Sequence, residues 1–146
     1  MFVDTSALVA ILTAEAERST LLSRLDGAVD PLTSSLAVFE TAIAVARKTA
    51  MSVADAEAQV AEFIRVVGLR IVPVAEAETA LALAAHARYG KGRHPARLNL
   101  GDCFAYACAR VHGVPLLYVG DDFSQTTSAR PSAEPQPPWN SATCWA

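Results

Sequence analysis

Acidic residues occur at four places in this sequence where an ordinary exposed position explains them poorly. Asp4 directly follows the apolar start of the chain, although it could equally be the N-cap of the next helix. Asp102 is the only charged residue in a mainly apolar helical run, where the helix dipole alone would also favour an acid. Asp121 and Asp122 follow the last apolar segment, and taken alone they indicate an ordinary turn.

Glu40 lies on the predicted buried side of a helix. Leu36, Phe39, Ile43 and Ala46 form an apolar stripe at helical spacing, and Glu40 is one turn from Leu36 on that side. A carboxylate buried without a partner costs on the order of several kcal/mol or more. The pattern therefore predicts a functional carboxylate here rather than a solvated one.

The elements that must position these acids alternate along the chain. Short apolar segments predict strands, and amphipathic segments between them predict helices, which indicates an α/β sandwich around a mostly parallel sheet. Functional groups collect at the carboxyl ends of the strands in such a sheet. Strands are predicted at 1–3, 29–34, 70–74 and 114–119, and helices after the cap at 4–6 and at 14–25, 36–49, 53–67, 76–89 and 101–112.

Converging carboxylates would need a cation. Several of them cannot remain ionised in one pocket without a compensating positive charge. Oxygen ligands without Cys or His favour Mg²⁺ or Mn²⁺ over Zn²⁺. Mg²⁺ held by carboxylates commonly serves phosphoryl transfer, in which one ion activates water and another can stabilise the leaving oxygen.

Composition limits the alternatives. A chain of 146 residues predicts one domain, and 52% hydrophobic with 18% charged residues excludes a disordered or fibrous protein. No apolar run approaches the roughly 18 residues that span a bilayer, and we expect neither a signal peptide nor a membrane partner. Three cysteines without metal-type spacing favour a reducing, cytoplasmic setting.

Four segments, in order, resemble the PIN-domain ribonucleases, specifically the VapC-type toxins of type II toxin–antitoxin systems. The resemblance covers residues 1 to about 125 and implies a PIN-like three-layer α/β/α sandwich with a short, mostly parallel central sheet. The matching segments are 2–7, 34–40, 98–107 and 116–123.

The resemblance also implies which residues form the site. Asp4 and Asp102 would be the principal metal ligands, Glu40 would orient metal or water, and Asp121 would be the fourth acid, with Asp122 as its alternative. A polar shell around these carboxylates would come from Thr5, Ser6 and Asn99.

For activity and partners, the resemblance implies metal-assisted hydrolysis of an RNA phosphodiester that leaves a 5′-phosphate and a 3′-hydroxyl. The cofactor would be Mg²⁺, for which Mn²⁺ can substitute, and the substrate a tRNA, rRNA or mRNA. Family members generally form homodimers and are inhibited by a VapB-like antitoxin whose C-terminal segment enters the active-site groove.

A basic segment precedes Asp102. Residues 86–97 contain four cations and no acid, which predicts either a solvated loop or a flexible surface that binds RNA phosphates. The formal net charge of −3 argues against binding through bulk charge, but without the four site acids it becomes +1. The four cations are Arg88, Lys91, Arg93 and Arg97.

The end of the chain differs in composition. Residues 126–146 are rich in Pro and Ser and lack periodicity, so we expect a disordered or loosely attached tail. The resembled family typically continues differently from Thr126 onward, and a frameshift is one hypothesis for the difference.

Two other functions remain open. The first is a non-catalytic PIN-type module that binds RNA or protein. The second is a phosphatase of the haloacid dehalogenase type, which is disfavoured because that chemistry usually uses a second Asp where this chain has Ser6. The apolar residues Val60, Phe63 and Ile64 predict either a dimer or antitoxin surface or ordinary core packing.

Overall fold

Short apolar strands alternate with capped helices throughout the computed structural model, which describes residues 1–126. Polar residues at the strand ends begin several helices: Ser34, for example, accepts a hydrogen bond from the backbone N–H of Ala37. The elements in chain order are β1 (Phe2–Val3), α1 (Thr5–Leu12), α2 (Arg18–Asp26), β2 (Leu32–Ser34), α3 (Ser35–Thr49), α4 (Val53–Val67), β3 (Arg70–Val72), α5 (Glu76–Tyr89), α6 (Leu100–Val111) and β4 (Leu116–Leu117).

The predicted order of strands and helices is confirmed, with shifted boundaries. The helix predicted over 14–25 begins at Arg18, because Ala14 adopts a positive φ of 56° that a helix does not accommodate. The predicted tail at 126–146 lies, apart from Thr126, outside the described residues.

The sheet is parallel, in the order β3-β2-β1-β4. Phe2 of β1 lies opposite Leu32 on one side and Leu116 on the other. The chain adds β2 and β3 on one side of β1 and later adds β4 on the other side. The order therefore reverses between β1 and β4, and ligands of open α/β sheets bind at such a point.

Helices cover both faces of the sheet. Phe2 and Val3 of β1 point to opposite faces and are both fully buried. Phe2 belongs to a core cluster with residues of α5 and α6, such as Ala82 and Tyr106. Val3 belongs to a second cluster with residues of α1 and α2, such as Leu8. The fold is thus the three-layer α/β/α sandwich that was expected.

The predicted buried stripe on α3 is wrong at Phe39 and Ile43, although Ala46 is buried and Leu36 is partly buried. Phe39 is 64% exposed and Ile43 is 42% exposed, whereas Ala37, Thr41 and Val45 are buried. These three recur every four residues, and their modest size lets α3 lie close to α1 and α4, with which it is in contact. The larger apolar residues are left on the outer side of the helix.

The apolar residues of α4 contribute to the core. Val60 is buried, and Phe63 and Ile64 are partly buried against the cluster that contains Leu21 and Leu25 of α2. Ordinary core packing therefore accounts for them. None of the helices within residues 1–126 is long and apolar enough to cross a membrane.

Candidate active site

Asp4 stands at the carboxyl end of β1 and is 4% exposed. It is the N-cap of α1: its Oδ2 accepts hydrogen bonds from the backbone N–H of Ser6 at 2.9 Å and from the Ser6 hydroxyl at 2.6 Å. Burial raises the pKa of Asp4, the hydrogen bonds from Ser6 and Thr5 oppose that rise, and repulsion from Asp122 adds to it. Asp4 is therefore both a cap and a buried acid at the strand end.

Ser6 connects Asp4 to the segment that follows β4. Its Oγ, besides donating to Asp4, accepts a hydrogen bond from the backbone N–H of Val119 at 3.0 Å. The backbone N–H of Asp4 donates to the carbonyl of Leu117 in β4 at 2.9 Å. The ends of β1 and β4 are thereby fixed to each other beside the site. Sequence reasoning missed Val119, because a backbone contact 113 residues away leaves no local pattern.

Asp102 lies in the first turn of α6 and is held by Asn99. Oδ1 of Asn99, the N-cap, accepts from the backbone N–H of Asp102 at 3.1 Å. The backbone N–H of Asn99 donates in return to Oδ2 of Asp102 at 2.8 Å. Burial raises the pKa of Asp102 to about 6, and repulsion from Asp4, Asp122 and Glu40 contributes. Asp102 therefore shares an electrostatic environment with the other acids.

Glu40 of α3 is partly buried, although not for the reason that the apolar stripe suggested. The Thr5 hydroxyl donates to its Oε2 at 3.0 Å. Burial raises the pKa of Glu40, the bond from Thr5 lowers it, and the charge of Asp4 raises it. Thr5 and Ser6 of α1 thus orient two different carboxylates.

The two acids after β4 have different surroundings, although both are exposed. Asp122 is the one whose charge acts on Asp4 and Asp102. Asp121 offers its backbone oxygen to the N–H and hydroxyl of Ser124, which closes a turn. Which of them completes the site stays a prediction, and Asp122 is the better placed.

Carboxylates that no basic side chain neutralises are suitable ligands for a divalent cation. The ion pairs within residues 1–126 use Glu15, Asp30 and Glu62, so the site acids have no basic partner in that range. No three His, Cys, Asp or Glu side chains there lie close enough to hold one ion together. Mg²⁺ usually keeps several waters and is bound by one or two carboxylates, so the donor set fits a hydrated ion.

Neither of the two thiols within residues 1–126 contributes to this site. Burial raises the pKa of Cys103 to about 11 and that of Cys108 to about 12, so both remain protonated near neutral pH. Cys103 and Cys108 are both buried in α6.

The predicted basic segment is the end of α5 followed by a loop at 90–98, here called the basic loop, which leads into the cap of α6. Two backbone hydrogen bonds close it, from Lys91 N–H to the Leu98 carbonyl at 3.1 Å and from Leu98 N–H to the Tyr89 carbonyl at 3.0 Å. His94 packs edge-on against Tyr89 within it. The base of the loop is therefore held by backbone hydrogen bonds. The predicted RNA-binding cations are all exposed, and none forms an ion pair within the described part of the chain: Arg88, Lys91, Arg93 and Arg97.

Two solved structures share this fold. The VapC20 toxin of Mycobacterium tuberculosis, described as cleaving the sarcin–ricin loop, aligns with a TM-score of 0.68 and 21% identity over 84% of this chain and 92% of its own. A toxin–antitoxin complex from Klebsiella pneumoniae aligns with a TM-score of 0.64 and 17% identity over 90% of this chain and 97% of its own. At these identities the likeness establishes the fold alone.

Sequence comparison establishes the family. The profile of the PIN domain matches residues 1–128. A VapC ribonuclease of Rhizobium meliloti is 41% identical over 86% of this chain and 96% of its own length. The ribonuclease VapC of Mycolicibacterium smegmatis is 40% identical over 88% of this chain and 98% of its own length. The chain is therefore a PIN-domain protein and a member of the VapC ribonuclease toxins.

Proposed function

We propose that this VapC protein is a Mg²⁺-dependent endoribonuclease toxin that hydrolyses RNA phosphodiester bonds. The observation that carries the proposal is a group of buried or partly buried acids, Asp4, Glu40 and Asp102, that come from different parts of the fold and have no basic partner within residues 1–126. Burial raises the pKa of all three, and repulsion among the acids, with that of Asp122 on Asp4 and Asp102, adds to the rise. Such an arrangement costs free energy unless a cation binds.

The roles of the side chains follow from their surroundings. Asp4 and Asp102 would hold the ion, because both are fixed by hydrogen bonds from α1 and the α6 cap. Glu40, oriented by Thr5, would orient the metal or the attacking water, with Asp122 or Asp121 as the fourth acid. When bound, Mg²⁺ supplies Lewis-acid polarisation of the phosphate and a water of lowered pKa. Mn²⁺ can replace it, since it also accepts oxygen ligands.

The RNA would approach across the basic loop. Arg88, in the last turn of α5, is exposed, as are Lys91, Arg93 and Arg97 in the loop that follows. This loop continues into Asn99, the N-cap of the helix that carries Asp102. Phosphate contacts of this kind position a nucleic acid without reading its sequence. We therefore assign to the loop the placement of an RNA strand, whether tRNA, rRNA or mRNA, against the acids.

Two protein partners belong to the proposal. A VapB-like antitoxin would inhibit the toxin, which is supported by the VapC relatives and by the toxin–antitoxin complex that shares the fold. A homodimer would cover the exposed apolar side chains Phe39, Ile43 and Leu100. Sedimentation of the purified protein tests the second point: a dimer that Phe39→Glu dissociates supports it, and a monomer at all concentrations contradicts it.

RNA cleavage by purified protein tests the enzymatic activity. The protein should cut RNA with Mg²⁺, stop in EDTA, resume when Mg²⁺ is restored, and leave 5′-phosphate ends. RNA binding that EDTA does not affect, with no cleavage at any Mg²⁺ concentration, would instead support the non-catalytic module.

A further inference from the structure

Gly101, the second residue of α6, lies directly against the Glu40 carboxylate. An ideal Cβ placed on Gly101 would be 2.5 Å from Oε2 and 2.7 Å from Oε1 of Glu40, closer than the 3.0 Å below which real Cβ contacts essentially never occur. The carboxylate therefore occupies the space that any other residue at position 101 would need for its side chain.

The backbone does not explain this glycine. Gly68 and Gly113 have positive φ values, 67° and 62°, and open space around them, so their conformation accounts for the residue type. Gly101 has no positive φ and lies in a helix, where glycine is less favourable than alanine. The contact with Glu40 is therefore the feature that explains why position 101 is a glycine.

We propose that Gly101 is a positioning residue: its missing side chain lets the Glu40 carboxylate lie against the first turn of α6, on the element that carries Asp102. This inference rests on the proposed metal site. Thr5 holds the same carboxylate through a hydrogen bond to Oε2 at 3.0 Å. Glu40 is thus fixed between α1 and α6, and the positive end of the α6 dipole favours its charge.

Alanine at position 101 would displace the carboxylate rather than the backbone. The atoms that a Cβ would meet are the terminal atoms of a flexible side chain, which can rotate away. The fold would survive, and helix propensity favours the substitution. The displaced carboxylate would leave Thr5 and the proposed site.

Gly101→Ala should therefore separate stability from metal binding. With Mn²⁺ as the probe, measured by electron paramagnetic resonance, we expect affinity to fall on the order of tenfold, as for other supports of metal ligands. The melting temperature without metal should equal or exceed that of the unchanged protein. Gly27→Ala is the matched control, because a Cβ there meets only ordinary contacts, the nearest at 3.8 Å. It should leave Mn²⁺ affinity unchanged.

Rescue by a shorter acid tests the steric cause. In the Gly101→Ala background, Glu40→Asp should raise Mn²⁺ affinity, whereas in the unchanged protein the same substitution should lower it. Affinity that Gly101→Ala does not change, or an equal loss from Glu40→Asp in both backgrounds, would overturn the inference.

A further variant separates this inference from the proposed function. Glu40→Ala should weaken Mn²⁺ binding, and Gly101→Ala should then cause no further loss of Mn²⁺ affinity. If Glu40→Ala binds Mn²⁺ normally, the metal assignment of Glu40 is overturned, and with it the metal-related role of Gly101. If Glu40→Ala weakens binding but Gly101→Ala does not, the proposed site stands and the inference about Gly101 fails.

Discussion

The hydroxyl of Ser6 donates a hydrogen bond of 2.6 Å to the buried carboxylate of Asp4. The same oxygen accepts from the backbone N–H of Val119. One small side chain therefore sets both the orientation of an acid at the end of β1 and the position of the chain that leads to Asp121 and Asp122.

Ser6→Ala should destabilise the protein by about 1–3 kcal/mol, because it leaves the Val119 N–H unpaired and removes a donor from a buried carboxylate. Denaturant unfolding measures the loss. Ser19→Ala, on the exposed side of α2, is the matched control and should change stability by less than about 0.5 kcal/mol. Equal stability of the two variants would show that the Ser6 contacts contribute nothing.

The metal-free protein should become more stable as pH falls from 7 towards 5. Burial and neighbouring acids raise the pKa of Asp102 to about 6, against 3.8 for the unperturbed group, so the folded state takes up a proton before the unfolded state does. The resulting gain in folding stability is fully present below about pH 4 and is lost as the pH rises through about 6.

The size of this gain in stability follows from the rise in the pKa of Asp102. With a discount for the partial exposure of Asp102, the gain is about 1–2 kcal/mol. The pKa values of Asp4 and Glu40 are raised too and act in the same direction. Unfolding in EDTA across this pH range measures the slope, which Asp102→Asn should reduce. An unchanged slope in that variant would contradict the raised pKa of Asp102.

Neutralising one cation of the basic loop should weaken RNA binding in a salt-dependent way. For Arg93→Gln we expect the slope of log K against log salt to decrease by about 0.7 for a single strand, the loss of one phosphate contact. Arg18→Gln, also exposed but on α2, is the control with the same change of charge. Identical slopes for both variants would remove the loop from the proposed RNA surface.

Much of this fold was predictable because its signals are local. Alternating apolar segments and capping residues predicted the order of the elements, and the single acid of the 101–109 run correctly indicated the first turn of α6. The start of α2 was misplaced, because the positive φ of Ala14 is a conformation that its residue type does not signal.

The site was less predictable because its contacts are distant in sequence. The stripe argument for Glu40 rested on large apolar residues that the structure leaves exposed, since α3 packs through smaller ones. The distinction between Asp121 and Asp122 depends on how a turn faces the sheet. The contact between Gly101 and Glu40 is made between two helices that are distant in sequence. The sequence indicates it only through a glycine inside a helix that no local feature explains.

Direct binding of Mn²⁺ shows whether these acids form a metal site. The protein should bind Mn²⁺, Mg²⁺ should compete for the same site, and Asp4→Asn and Asp102→Asn should each lower the affinity at least about tenfold. Asp55→Asn, which removes an exposed acid of α4, should leave the affinity unchanged. Mn²⁺ binding that survives both site substitutions, in variants shown to be folded, would contradict the assignment of these acids to a metal site.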